Sequence, residues 1–393
     1  MTGRDRFTDG PQATSTRIKL QQEIRFGPYF YDFVVGHHAV EDFARRVADF
    51  SPHSLFIVTE DNPVLIGYAK QLLPVLEQTA PTHVLTLPGG EVAKRIEGVA
   101  DLAEQAVELG ATRSSCVIAL GGGLAGNMAG LLASLLFRGI RLIHLPTTQL
   151  AASDSVLSLK QAVNSGRAKN MIGAFHAPEL VWVELEFLRS NSPLHLTSSN
   201  CESIKNLLAI TPQHIPEMSE MLNPAAEYTL EELARFIELA IAAKQSVMRD
   251  DPYERRGALV LEYGHTVGHA LELYSGGRLP HGHAVGLGML VEALVSHRLG
   301  MLGSADVDTH RSLLELNGAP TRYPLGMHDD FPDQVCSIIA FDNKRGYARS
   351  GPGEVPMVLL SALGTPRVVD GYPLTSVPLD LIRECLSAID PKY

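Results

Sequence analysis

Basic residues are the scarce class in this chain. Its 33 Lys and Arg stand against 44 Asp and Glu, a formal net charge of -11. A nucleic-acid surface needs a basic footprint, so charge argues against that partner class, while a local basic pocket for a phosphorylated small molecule stays open. Cysteine is sparse as well. Cys116, Cys201, Cys336 and Cys385 are scattered without a CxxC pair, which favours reduced thiols and a cytoplasmic protein over a disulfide scaffold. Residues 1–20 show no signal peptide and read as a flexible polar tail. One stretch, Val117 to Phe137, is nearly free of polar residues, but Gly121, Gly122, Gly123, Gly126 and Gly130 punctuate it. That fits a buried strand, turn and helix better than a membrane span. No internal repeat is visible.

The chain has 393 residues, 45% hydrophobic and 20% charged, enough for two globular domains with sizeable cores. Its first half alternates apolar runs with helical patterns. Strands are expected at 55–59, 83–87, 116–120 and 141–145, with helices at 63–76, 96–109 and after the glycine turn. Strands that read as buried on both faces, alternating with helices, imply a parallel, doubly wound sheet. The segments 18–24 and 31–35 look like an antiparallel addition. Beyond about residue 190 the pattern turns helical. Thr229-Leu230-Glu231-Glu232 is a capping box, followed by Leu233, Phe236, Ile237, Ala240 and Ile241 at helical spacing. Helices are also expected at 265–275, 284–299 and 308–317, with a late strand at 355–360. The expectation is an α/β class chain: a flexible tail at 1–20, a Rossmann-like NAD-binding domain at 21–190, a mostly α-helical metal- and substrate-binding domain at 191–393, and a cleft between the domains.

The run Gly121-Gly122-Gly123-Leu124-Ala125-Gly126 fits G-x-G-x-x-G between a strand and a helix. In that context backbone amides and a helix N-terminus can cradle a pyrophosphate. A close-packed turn would also want glycines, and no acidic residue lies at the usual distance beyond the motif. Glu60 and Asp61, after an earlier strand, are better placed for ribose hydroxyls. Gly89-Gly90-Glu91-Val92-Ala93-Lys94 offers a second glycine turn, or simply a solvated one. Asp154 and Lys160 sit in a mostly apolar run. With Lys169, Asn170, Lys205, Lys244, Lys344 and Arg345 they could form a pocket for an anionic, hydroxyl-rich substrate.

Histidines carry the strongest signal. Glu262-Tyr263-Gly264-His265-Thr266-Val267-Gly268-His269-Ala270 is followed by Pro280-His281-Gly282-His283. In a helix His265 and His269 share a face, and His281 would open the next helix after a Gly-rich turn. A carboxylate is available upstream in Cys201-Glu202-Ser203-Ile204-Lys205. Two imidazoles and a carboxylate make a divalent-metal site with open positions. A His pair at helical spacing is more often a packed or surface pair. A zinc-protease reading fails because Thr266 stands where that motif needs its Glu base.

These stretches, together with Phe137-Arg138-Gly139, Pro146-Thr147-Thr148, Ser153 to Asn164 and Asp342-Asn343-Lys344-Arg345-Gly346-Tyr347, resemble the sugar phosphate cyclases of the 3-dehydroquinate synthase superfamily. The resemblance spans about residues 20 to 380 and is strongest to the inosose-forming branch. It implies a dehydroquinate synthase-like fold and a zinc or cobalt ion on Glu202, His265 and His281. It also implies NAD held by Glu60, Asn62, Glu91, Lys94, Gly122, Gly123, Asn127, Thr147, Thr148 and Asp154. Lys160, Glu262, His269, Lys205 and Lys244 would act in catalysis. Arg138, Asp154, Lys169, Asn170 and Lys344 would bind substrate, Arg138 from across a homodimer interface. Dehydroquinate synthases, whose substrate bears a carboxylate, carry an Arg and an Asn where this chain has Ala258 and Glu262. A Glu repels a carboxylate but can accept hydrogen bonds from a neutral sugar. The resemblance implies D-glucose 6-phosphate as the substrate. The implied reaction is transient oxidation at C4, phosphate loss, re-reduction and aldol ring closure, within aminoglycoside antibiotic biosynthesis. Another sugar phosphate cyclase, a metal-dependent polyol dehydrogenase and a catalytically silent binding protein are the alternatives. Three features differ from the family's usual pattern: Ala168, the polar run Leu196 to Asn200, and His283.

Overall fold

The computed structural model describes residues 17–165, 169–324, 330–341, 344, 346–347 and 350–389. They form two compact units. The first runs to Asn191 and takes in Thr229–Ile241; the second comprises Ser192–Tyr228 and the chain from Ala242 onward. A single change near residue 190 was expected, with 229–241 on its helical side. The structure instead groups that segment with the sheet.

The first unit is built on β1 (Ile18–Phe26), β2 (Tyr29–Gly36), β3 (Leu55–Glu60), β4 (Thr82–Leu87), β5 (Cys116–Gly121), β6 (Arg141–Pro146) and β9 (Leu180–Glu184). Among the described residues these make one sheet in the order β1-β2-β9-β6-β5-β3-β4. All neighbours are parallel except β1 and β2, which pair antiparallel from Phe26↔Tyr29 to Leu20↔Val35. The central strands are apolar almost throughout because both faces are covered. Leu55, Ile57, Ile118 and Leu120 pack on one face with α1 (Val40–Ala48) and α2 (Pro63–Leu76). Phe56, Val58, Val117 and Ala119 pack on the other with α3 (Ile96–Glu108) and α4 (Gly123–Leu135). A hairpin of β7 (Lys160–Val163) and β8 (Ile172–Phe175) lies outside this sheet. The chain steps from β3 to β4 on one side, then returns past β3 to β5. That reversal makes the carboxyl ends of β3 and β5 the topological switch point, where doubly wound sheets bind ligands.

The short helix α5 (Leu185–Leu188) follows β9, and the second unit opens with α6 (Pro193–Ala209). Ser192 caps α6 by accepting the His195 N–H, with Pro193 at its first position. Next come α7 (Ile215–Met221), α8 (Leu230–Met248), of which the part up to Ile241 belongs to the first unit, then α9 (His265–Tyr274), α10 (His281–Arg298), α11 (Ser304–Leu316), α12 (Phe331–Ile339) and α13 (Leu379–Leu386). The capping box before α8 is formed. Glu232 accepts the Thr229 N–H at 2.7 Å, and Thr229 Oγ1 accepts the Glu232 N–H at 3.1 Å. The late apolar run is not one strand. β10 (Glu354–Met357) pairs with β13 (Thr375–Pro378), whereas β11 (Leu360–Ala362) pairs with β12 (Thr365–Pro366). No helix of the described residues is long and apolar enough to cross a membrane.

Candidate active site

The second unit gathers Glu202 from α6, His265 from the start of α9 and His281 from the start of α10, with one donor atom of each within 4.8 Å of the others. Glu202 Oε1 lies 3.6 Å from His265 Nε2 and 3.4 Å from His281 Nε2. His265 Nδ1 sits 3.1 Å from the Tyr263 carbonyl oxygen, and His281 Nδ1 sits 3.2 Å from a Glu272 carboxylate oxygen. Both partners only accept, so both Nδ1 atoms carry protons. In neutral imidazoles the Nε2 lone pairs then face Glu202 Oε1, which is buried without a hydrogen bond. Three acceptors converging on one point fit a divalent cation, and the outer hydrogen bonds orient the ligands as in other His-ligated metal sites.

The electrostatics agree. Burial opposes a charge on Glu202, but Lys205 and the two imidazoles outweigh it and hold the carboxyl well below its ordinary range. Lys205 Nζ donates to Glu202 Oε2 at 2.6 Å, with both side chains buried. Burial also pulls His281 down, yet the Glu202 and Glu272 carboxylates push it up to about 10. The two carboxylates thus favour a positive charge at the His281 position. His269, one helical turn from His265, is pushed down to about 3 by burial and the nearby His265, and is therefore neutral at pH 7. Its ring centroid is 5.1 Å from that of His265 and 5.8 Å from that of His281. Glu262, which attracts protons to both His265 and His269, accepts from the buried Lys344 Nζ at 3.2 Å. Lys244 is buried on α8, and Ala258 is buried in the turn before Glu262. Arg345, Asp342 and Asn343 lie outside the described residues, as does Ala168.

The sequence held no visible sign of what braces this cluster. Gly264, at φ 78°, turns the chain into α9 and gives its N–H to the buried Glu292 carboxylate at 2.7 Å. A Cβ there would meet Met289 Cγ at 2.6 Å and the Val285 carbonyl at 2.8 Å. The Tyr263 hydroxyl pairs with His310 Nε2 at 2.8 Å. Two unusual sequence features explain each other. Thr197, from the polar run in α6, bonds His283 Nε2 at 2.9 Å, and Ser198 Oγ accepts the Gly282 N–H at 3.1 Å. The run and His283 thus tie α6 to the first turn of α10, which carries His281.

At the switch point of the first unit, Gly122 caps α4 without a side chain, so the first amides of that helix are open to an anion. Gly121 has φ 150°, and a Cβ on it would come within 2.7 Å of Ala125 Cβ. The Glu60 carboxylate lies against this turn and against Gly89, where added Cβ atoms would be 3.9 and 3.5 Å from its oxygens. Burial raises its pKa, with the Gly90 amide opposing. Asn164, missed as a site residue, joins several expected ones. It donates to Glu91 Oε1 at 2.8 Å and accepts the Asn170 N–H at 2.9 Å, while Lys94 Nζ donates to Asn170 Oδ1 at 2.5 Å.

Other expected cofactor ligands are occupied structurally. Asn127 donates to the Gly123 carbonyl and accepts the Ala162 N–H, latching the β7–β8 hairpin to α4. Asn62 Oδ1 caps α2 at Val64. Thr147 is buried and its N–H bonds the Gly121 carbonyl, while Thr148 Oγ1 accepts the Ala151 N–H at the start of a π-helical turn that holds Asp154. Lys160 and Lys169 are exposed. Arg138 is exposed too, in a turn where Phe137, Arg138 and Gly139 all have positive φ (51°, 71° and 124°).

Profiles of the 3-dehydroquinate synthase N-terminal and C-terminal regions match residues 84–198 and 200–345. The chain belongs to the 3-dehydroquinate synthase family. Its similar relatives include the 2-deoxy-scyllo-inosose synthase of Micromonospora echinospora, 44% identical over 94% of this chain and 92% of that protein. The enzyme of the same name from Streptomyces ribosidificus is 45% identical over 91% and 90%. A crystal structure of 2-deoxy-scyllo-inosose synthase complexed with carbaglucose-6-phosphate, NAD+ and Co2+ superposes with a TM-score of 0.87 at 35% identity, covering 93% of this chain and 99% of that one.

Proposed function

We propose that this protein converts D-glucose 6-phosphate to 2-deoxy-scyllo-inosose and phosphate as a carbon–oxygen lyase, supplying the carbocycle of 2-deoxystreptamine aminoglycosides. The observation that carries this reading is the 44% identity to a 2-deoxy-scyllo-inosose synthase across 94% of the chain. Glu202, His265 and His281 would hold a zinc or cobalt ion. Gly122, Gly123, Glu60, Glu91 and Lys94 would hold NAD, with Thr147, Thr148 and Asp154 shaping the site. When bound, NAD supplies reversible hydride acceptance at C4 and the metal polarises vicinal hydroxyls.

The remaining work falls to the chain's own groups. His269, neutral at pH 7 and one helical turn from His265, would hydrogen-bond the phosphate or a sugar hydroxyl and relay its proton. Lys205, paired with Glu202, keeps that carboxylate ionised for its ligand role. Glu262 accepts a hydrogen bond from a sugar hydroxyl while Lys344 fixes its orientation, and a buried Ala258 offers no cation to a carboxylate-bearing substrate. Lys160 and Lys244 would act in catalysis, and Lys169 and Asn170 would bind substrate, as the family resemblance implies. The protein works as a cytoplasmic homodimer in this reading. Arg138, exposed on a left-handed turn, would reach the phosphate in the partner's site.

Incubation with glucose 6-phosphate, NAD and Co2+ tests the proposal by phosphate release, NADH absorbance and product mass. The expected result is stoichiometric phosphate, a deoxygenated carbocyclic ketone, and no accumulation of NADH. Stoichiometric NADH without phosphate would mark a polyol dehydrogenase instead.

A further inference from the structure

The carboxyl ends of β2 and β9 carry a second cluster of two imidazoles and a carboxylate, in the first unit. Glu186, in α5, places Oε1 2.8 Å from His37 Nε2 and 3.7 Å from His38 Nε2. Consecutive residues of a strand point to opposite faces, so neighbouring histidines do not normally share a target. Here β2 ends at Gly36 and His38 takes φ 52°. Its ring folds over that of His37, with centroids 4.2 Å apart and planes inclined by 26°.

Two further contacts hold this arrangement. The Glu184 carboxylate, buried at the end of β9, accepts the His38 and Ala39 N–H groups at 2.8 and 3.0 Å. Arg189 Nε donates to Glu186 Oε2 at 2.9 Å, which turns Oε1 toward the imidazoles. One donor atom from each of His37, His38 and Glu186 lies within 4.8 Å of the other two.

Bonds of about 2.0–2.2 Å to nitrogen and oxygen put the donors of a tetrahedral centre about 3.4 Å apart. The His38–Glu186 separation is near that already, and the His37–Glu186 contact needs to open by about half an ångström. The His38 side chain is 71% exposed, so it can make the adjustment and leave outward positions to water. Two imidazoles with a carboxylate favour zinc-like ions over magnesium or calcium. Arg189 adds a positive charge beside the carboxylate and weakens attraction for any cation.

We propose that His37, His38 and Glu186 form a second, surface site for a borderline divalent ion such as Zn2+ or Co2+, weaker than the buried Glu202 centre. Chelator-stripped full-length protein, dialysed against rising Zn2+ and assayed for metal per chain by mass spectrometry, is expected to bind a tight equivalent and then a weaker one. His38→Gln and Glu186→Gln should lose the weaker equivalent and keep the tight one, while His265→Ala should do the reverse. Saturation of the wild type at one equivalent, or a weaker equivalent retained by both His38→Gln and Glu186→Gln, would overturn the proposal.

Discussion

Glu202 and Glu186 each face two imidazoles, yet their surroundings are opposite. Glu202 is 1% exposed, and each of its imidazoles has Nδ1 committed to an acceptor behind it. Glu186 is partly exposed, and among the described residues neither of its imidazoles has an Nδ1 partner. The same three side-chain types therefore make a rigid cluster in one place and an adjustable one in the other. What separates them is the supporting layer: Tyr263, Glu272, Glu292 and His310 lock the first, while among the described residues Arg189 and Glu184 steady the second.

The comparison breaks most sharply at the carboxylates. Glu202→Gln is expected to lose the metal and abolish phosphate release, and it breaks the buried ion pair that Glu202 makes with Lys205, worth roughly 3–5 kcal/mol of stability. Glu186→Gln removes a partly solvated pair and should change stability by about 0–1 kcal/mol with turnover intact. Urea unfolding, metal content and rate on both variants check this. A metal-replete, active Glu202→Gln protein would remove Glu202 from the metal centre.

Substituting glycines isolates the supporting layer. Gly264→Ala meets Met289 and the Val285 carbonyl and should displace His265, with loss of bound metal. Gly277, also at φ 78°, has open space around its α-carbon. Gly277→Ala should show the conformational cost alone, roughly 1–2 kcal/mol, and keep the metal. Equal metal content in the two variants would mean that the Gly264 turn does not place His265.

Glu262→Gln probes the group beside the buried cluster that does not ligate. It should retain metal and NAD while losing about tenfold to a hundredfold in rate on glucose 6-phosphate, the worth of a charge-assisted hydrogen bond of roughly 1.5–3 kcal/mol. A rate unchanged from wild type would free Glu262 from substrate contact.

Acid should loosen the supports before the carboxylates are lost. Burial pushes His310 down to about 4 in the folded protein, with Asp306 opposing, from an ordinary 6.5. As pH falls below 6.5 the unfolded chain takes up the proton first. The stability is thus complete above pH 6.5 and lost progressively toward the folded value near 4. At pH 5 the loss from this residue is on the order of 2 kcal/mol. Urea midpoints across pH 4–7 should slope less in His310→Gln than in wild type; parallel slopes would contradict the assignment.

A modest effect, confined to the cofactor, is expected in the first unit. Gly122→Val adds a Cβ 3.3 Å from Thr148 Cγ2 and crowds the start of α4. NAD affinity should fall about tenfold, near 1.4 kcal/mol, by calorimetry, with metal content unchanged.

Sequence periodicity made much of the fold legible. The β3–α2–β4–α3–β5–α4–β6 run was readable because buried strands are continuous apolar stretches and Asn62-Pro63 and Gly122-Gly123 punctuate them. The β7–β8 hairpin was not, since its strands are short and half exposed and carry no alternation. Glu202, His265 and His281 could be picked out as ligand types, but their second partners could not. Glu292 and His310 act through contacts between residues distant in the chain, Glu272 lies in no motif, and Asn164, though it ends the stretch Ser153 to Asn164, reaches Glu91 only through the fold. The His37–Glu186 cluster was hidden for the same reason, since it depends on β2 and β9 being neighbours.

That adjacency bears on the order in which the protein is made. β2 is complete by Gly36, yet its parallel partner β9 begins at Leu180, with Asp32 opposite Leu180. During synthesis the β1–β2 hairpin must wait for most of its own sheet. Even then the unit is unfinished, because Gln149 donates to the Leu233 carbonyl and Lys19 pairs with Glu231, both in the returning segment Thr229–Ile241. A nascent chain released at Asn191 would expose the surface that this segment covers. Such long-range closure slows folding and lengthens the time apolar edges stay open. Recombinant yield should accordingly depend more on slow translation and low temperature than the stability of the finished protein would suggest.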